Sequence, residues 1–106
     1  MKPISGKSAS DTTQNIIKFL NDEGHFAWRQ VNTSVRGRKN IVHRGVADII
    51  CVLKNSTHCE IEVKHGNDKM SEYQIQHKEM VEERGGYYFV AKSFDDFYEQ
   101  YLSAGL

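Results

Sequence analysis

The chain has 106 residues, 39% apolar and 26% charged, and its 14 basic and 14 acidic side chains cancel to a formal net charge of zero. This is the size of one domain with one core, and a composition this apolar is not that of a disordered chain. Two cysteines, Cys51 and Cys59, are too few for a disulfide scaffold. No apolar run approaches the roughly 20 residues that span a bilayer, and the first residues lack a signal-peptide apolar region. The expectation is a reduced, cytoplasmic protein without membrane contact.

The charge is unevenly spread. Residues 24–47 contain no Asp or Glu but carry Arg29, Arg36, Arg38, Lys39 and Arg44, with His25 and His43. Residues 68–83 are acidic in balance. A neutral chain can still present a basic face to a polyanion, and the alternative is a solvated loop.

In chain order, residues 1–10 read as a flexible tail and 11–106 as one domain. A first helix is expected over 12–23, capped by Asp11 with Gln14 completing a capping box, striped by Ile16, Ile17 and Leu20 and ended by Gly24. "HFAWRQV" (25–31) alternates Phe26 and Trp28 against Ala27 and Arg29, a strand pattern. "RGRKN" (36–40) is a turn, and "IVH" (41–43) a possible short return. "VADIICVL" (46–53) is a nearly continuous apolar run, the signature of a strand covered on both faces, interrupted only by Asp48. "KNST" turns the chain and "HCEIEVK" (58–64) returns as its hairpin partner. Ser71 and Gln74 form a capping box for a second helix that stops at Gly85 and Gly86. "YYFVA" (87–91) is another strand. Ser93 caps a last helix whose Phe94, Phe97, Tyr98, Tyr101 and Leu102 fall at helical spacing, a core stripe. The order helix, strand, strand, strand, helix, strand, helix implies an α/β sandwich around a mixed sheet.

The chemistry concentrates in the hairpin. If residue numbers across it sum to an even value near 110, Asp48 faces Glu62, and Cys51 faces Cys59 on the opposite, apolar side. A one-residue slip would spoil both faces. Asp48, Glu60, Glu62 and Lys64 then share one face. Two close carboxylates repel and attract a hard cation such as Mg²⁺ or Mn²⁺. A lysine beside that ion can orient a water or neutralise charge on a phosphate. The competing reading is a Glu–Lys surface pair on an edge strand. Trp28 reads as core more readily than as a base-stacking ring, and His58, His65 and His77 have no metal-ligand spacing with the cysteines.

"GVAD" (45–48), thirteen residues, "EVK" (62–64), "MSEYQ" (70–74) opening a helix and Gly-Gly before a strand together resemble the virus-type replication-repair nuclease (VRR-NUC) domain of the PD-(D/E)XK superfamily. "WRQVN" (28–32) resembles that family's Arg-x-Asn strand. The resemblance covers residues 11–102. It implies a restriction-endonuclease-like α-β-β-β-α-β core, a central mixed sheet flanked by helices. It also implies a Mg²⁺- or Mn²⁺-dependent endodeoxyribonuclease with Asp48, Glu62 and the Val63 backbone carbonyl as metal ligands, Lys64 as the catalytic lysine and Gln74 beside it. Gln74 is then claimed both by the cap and by the site. Two departures stand out: Ala47 replaces the usual Pro, and the first helix lacks the family's Glu, leaving Asp11 as its nearest substitute. The basic residues Arg29, Arg36, Arg38, Lys39 and Arg44 are the candidates for DNA backbone contact. With no second domain to read bases, selection of branched DNA (junctions, forks or flaps) by a homodimer of phage type is expected. A weakened DNA-binding relative or a sequence-specific restriction-type enzyme are the rivals.

Overall fold

The structure is a computed structural model, and it describes residues 8–30 and 44–106. Its elements run α1 (Ala9–Asp22), β1 (Phe26–Arg29), β2 (Ile49–Val52), β3 (His58–Val63), α2 (Glu72–Glu83), β4 (Tyr87–Ala91) and α3 (Phe94–Ser103). This is the expected order. The strands form one mixed sheet, β1-β2-β3-β4, antiparallel except for the parallel β3–β4 pair that α2 connects. The hairpin register is the even one: Ile49 pairs with Ile61, Ile50 with Glu60 and Cys51 with Cys59.

Period-two alternation gives the sheet two unlike faces. One presents Ala27, Ile49, Cys51, Cys59, Ile61, Val63, Phe89 and Ala91 to α1 and α3, which contribute Ile16, Phe19, Leu20, Phe94, Phe97 and Tyr101. Phe19 stands edge-on to Phe94, Phe97, Tyr98 and Tyr101, with ring centroids 5.1 to 6.1 Å apart, a favourable aromatic geometry. The aromatic stripe of α3 is therefore core, except that Leu102 points outward. Cys51 and Cys59 are buried and free. The other face carries Glu60, Glu62 and Tyr88, and α2 covers part of it with Ala47, Val81 and Tyr88 forming a small second cluster.

Several boundaries differ from expectation. α1 starts at Ala9 with Ser8 as its cap, and Asp11 gives its backbone N–H to Ser8 Oγ at 3.1 Å. Asp11 is thus a first-turn residue and not the cap, and the tail cannot include residues 8–10. Starting one turn earlier brings Thr12 and Thr13 into buried positions. β2 is shorter than its apolar run, because Asp48 sits in a bend just before it and the chain at Gly45 has a positive φ of 90°. β2 is covered on both faces as expected, with Ile49, Ile50 and Cys51 buried, except at its end, where Val52 is exposed. The expected turn at 36–40 and short strand at 41–43 lie outside the described residues. No helix among the described residues is long and apolar enough to cross a membrane.

Candidate active site

Asp48, Glu62, Lys64 and Gln74 come together where the hairpin meets the N-terminus of α2. Extending the ladder one residue past Ile49–Ile61 sets Asp48 across from Glu62. The Asp48 carbonyl accepts from Gln30 N–H at 2.7 Å, tying the bend to β1. Asp48 Oδ2 accepts from Val63 N–H at 2.9 Å, so its carboxylate is steered along β3. Glu62 and Lys64, two apart on one strand, point to one side, with Lys64 Nζ 3.2 Å from Glu62 Oε2. Both side chains are largely shielded, 6% exposed for Glu62 and 14% for Lys64, so this is not the freely solvated surface pair of the competing reading.

Gln74 takes the capping role. Its Oε1 accepts from Ser71 N–H at 2.9 Å while Ser71 Oγ accepts from Gln74 N–H at 3.2 Å, a complete capping box. Its side chain also lies close enough to Glu62 to draw that carboxyl's pKa down.

Opposing electrostatic influences meet at Glu62. Burial pushes the Glu62 carboxyl above its ordinary range and the Asp48 charge pushes it further, against the opposing pull of Lys64 and Gln74. Tyr88, beneath the carboxylates, is held in its protonated form by burial and then by the charges of Glu62, Glu60 and Asp48. Its hydroxyl donates to the Gly45 carbonyl at 3.2 Å.

Alternation left Glu60 as either a supporting or a solvent-facing residue of this face, and what it could not give is its partners. Glu60 is the supporting kind, 2% exposed. It accepts from Ala47 N–H (3.1 Å), and His58 Nε2 (2.6 Å) and His77 Nε2 (2.9 Å to each oxygen) lie against it. Burial pushes the Glu60 carboxyl up, but the bonds from His58, His77 and Ala47 outweigh it and the net shift is downward. A signal existed: Glu60 shares the face of Glu62 by alternation, and His77 follows Gln74 by three, on the same side of α2. Gly45 supports the site too. A Cβ there would lie 2.2 Å from the Tyr73 carbonyl oxygen, so the glycine permits the N-terminus of α2 to close over the strand.

The remaining predicted residues are placed as follows. Arg44 is exposed beside the site, its guanidinium 4.8 Å from the Tyr73 ring centroid and 2.7 Å from the Tyr73 hydroxyl. Arg29 ends β1 and is exposed. Arg36, Arg38 and Lys39 lie outside the described residues. Asp11 is exposed in the first turn of α1. Among the described residues no three His, Cys, Asp or Glu side chains gather as a metal cage.

The α-β-β-β-α-β order with this mixed sheet is the restriction-endonuclease-like fold. The chain is similar to a solved VRR_NUC domain, with TM-score 0.53 and 24% identity over 82% of this chain and 83% of that one; at that identity the likeness speaks for the fold. No family model and no curated protein matches the chain.

Proposed function

We infer that the protein is a metal-dependent DNA endonuclease, and the observation that carries this is the juxtaposition of Asp48, Glu62 and Lys64 on one face of the sheet in a restriction-endonuclease-like fold. The donor set fits a hard divalent cation. Two carboxylates face each other, one raised by burial and then by the other's charge, and Mg²⁺ or Mn²⁺ commonly takes one or two carboxylates with phosphate oxygens and waters completing its shell. Asp48, Glu62 and the Val63 carbonyl are the proposed ligands, with Asp11 the candidate for a further one. When bound, the ion supplies Lewis-acid polarisation of the phosphate and a more acidic water.

The chain's own residues do the rest. Val63 N–H fixes the Asp48 carboxylate and the Gln74 side chain lies beside Glu62, so little reorganisation remains when a cation and phosphate arrive. Lys64 places its ammonium beside Glu62, where it can hold the attacking water or offset charge on the phosphate. Arg29 and Arg44, with Arg36, Arg38 and Lys39, contact the DNA backbone. The proposed substrates are branched DNAs in phage replication, recombination or repair, in the cytoplasm of a bacterial host. A homodimer would bring two sites to the two strands. The two-carboxylate donor set also favours one rival, a DNA-binding protein with a weakened site.

Cleavage of labelled linear, forked, flapped and four-way-junction DNAs with Mg²⁺ or Mn²⁺ decides between them. Asp48→Asn should slow the wild-type reaction by at least about a hundredfold, the upper end of what losing a supporting contact costs. Equal rates for wild type and variant, or no cutting of any substrate with either metal, would sink the assignment. In the second case Mn²⁺-independent DNA binding would support the rival.

A further inference from the structure

The half of the acidic face that α2 leaves open is aromatic. Phe26 is 65% exposed and Trp28 38%, their ring centroids 5.2 Å apart and tilted by 45°. Exposed Val52 lies across the ladder from Phe26, and Ile50 from Trp28. Trp28 is therefore not the core residue its alternation suggested. The ladder fixes where these rings lie relative to the carboxylates. Trp28, Ile50 and Glu60 form one row, and Gln30, Asp48 and Glu62 form the next on the same face. Rows two residues apart are separated by roughly 7 Å and neighbouring strands by about 4.8 Å, so the Trp28 Cα lies about 8 Å from that of Asp48 and about 12 Å from that of Glu62.

Resting on the nuclease reading of that row, we propose that Phe26 and Trp28 form a stacking platform for unpaired bases of the DNA strand entering the site. Three observations select this occupant. Two neighbouring rings with open faces suit successive bases, since every base has a π-face to stack. The platform lies on the same sheet face as the carboxylate row, within about two to five nucleotides at roughly 3.4 Å per stacked nucleotide. It also belongs to the acid-free stretch 24–47, whose arginines and lysine complement a phosphate backbone. A paired duplex keeps its base faces internal and cannot use the platform. Forks, flaps and single-stranded ends are therefore the preferred substrates over a junction with four fully paired arms.

Trp28 is the chain's only tryptophan, so its fluorescence reads the platform directly and without catalysis. In EDTA, a short oligothymidylate and a splayed fork should quench Trp28, and a blunt duplex of equal length should not. Phe26→Ala, a change at an exposed position, should weaken binding of the single strand by about tenfold. A labelled-oligonucleotide anisotropy titration should show a similar loss for Trp28→Ala and much less for Trp28→Phe. The proposal is overturned if single strands leave Trp28 emission unchanged. It is also overturned if Trp28 is already shielded from acrylamide in the free protein, by its own chain or a second copy, or if both alanine variants bind forks like wild type. Failure of the nuclease reading is distinct: quenching would persist while no substrate is cut with either metal.

Discussion

At the scale of single residues, Ala47 stands where the nuclease motif that the sequence resembles has Pro. In the structure Ala47 N–H donates to the buried Glu60 carboxylate at 3.1 Å, a bond that Pro cannot make. Ala47→Pro should therefore cost about 1–3 kcal/mol, the penalty of stripping a partner from a buried polar group. Chemical denaturation measures it, and an unchanged midpoint would refute the role given to the N–H. Glu62 makes the opposite case. Its carboxyl pKa is raised by burial and by Asp48, so the fold favours its protonated form. That contribution is complete below the ordinary carboxylate pKa and is lost as pH rises through the raised value. Glu62→Gln, neutral at every pH, should melt above wild type near pH 7, with the gap closing toward about pH 4. A variant that melts lower than wild type at neutral pH would show that the Lys64 contact outweighs burial and repulsion. Stability given up at a site is a familiar accompaniment of function.

At the scale of elements, α2 is the informative one. Its buried residues are only His77 and Val81, so hydrophobic patterning alone poorly explains why it docks. It is held instead by its capping box, by Gln74 beside Glu62, by His77 against Glu60 and by the close approach at Gly45. Gly45→Ala collides with the Tyr73 carbonyl and strains a left-handed backbone, at a cost of about 1–3 kcal/mol. It should also push Gln74 from the carboxylates, so cleavage should fall further than the loss of folded protein explains. Comparing rate per folded molecule with wild type tests this, and an unchanged rate would contradict it. The capping box was legible because both of its residues lie within four positions of each other. The α1 cap was not. Ser8 and Asp11 are both good caps, and what chose Ser8 is the burial of Thr12 and Thr13, a tertiary fact. The Glu60–His77 contact joins residues 17 apart; alternation and helical spacing put each on the right side of its own element, but only the placement of α2 across the strand brings them together.

At the scale of the whole molecule, the sheet separates two tasks. One face and its aromatic cluster with α1 and α3 provide the core, and the other holds acids, a lysine and exposed rings. This division was readable because alternation is strict in "EIEVKHG" and because a one-residue slip in the hairpin would have mixed the faces. The register followed from that constraint, as did the position of Asp48 opposite Glu62. The exposure of Phe26 and Trp28 was not readable, since alternation states which residues share a face and not which part of a face a helix will cover. The claim at stake is that the polar face cuts DNA. The most direct test is the cleavage rate of a labelled fork with Mg²⁺ or Mn²⁺, wild type against Glu62→Gln, both verified as folded. The account predicts metal-dependent product from wild type and a loss of at least about a hundredfold in the variant. Equal product from the two proteins, or product formed equally well in EDTA, would contradict it.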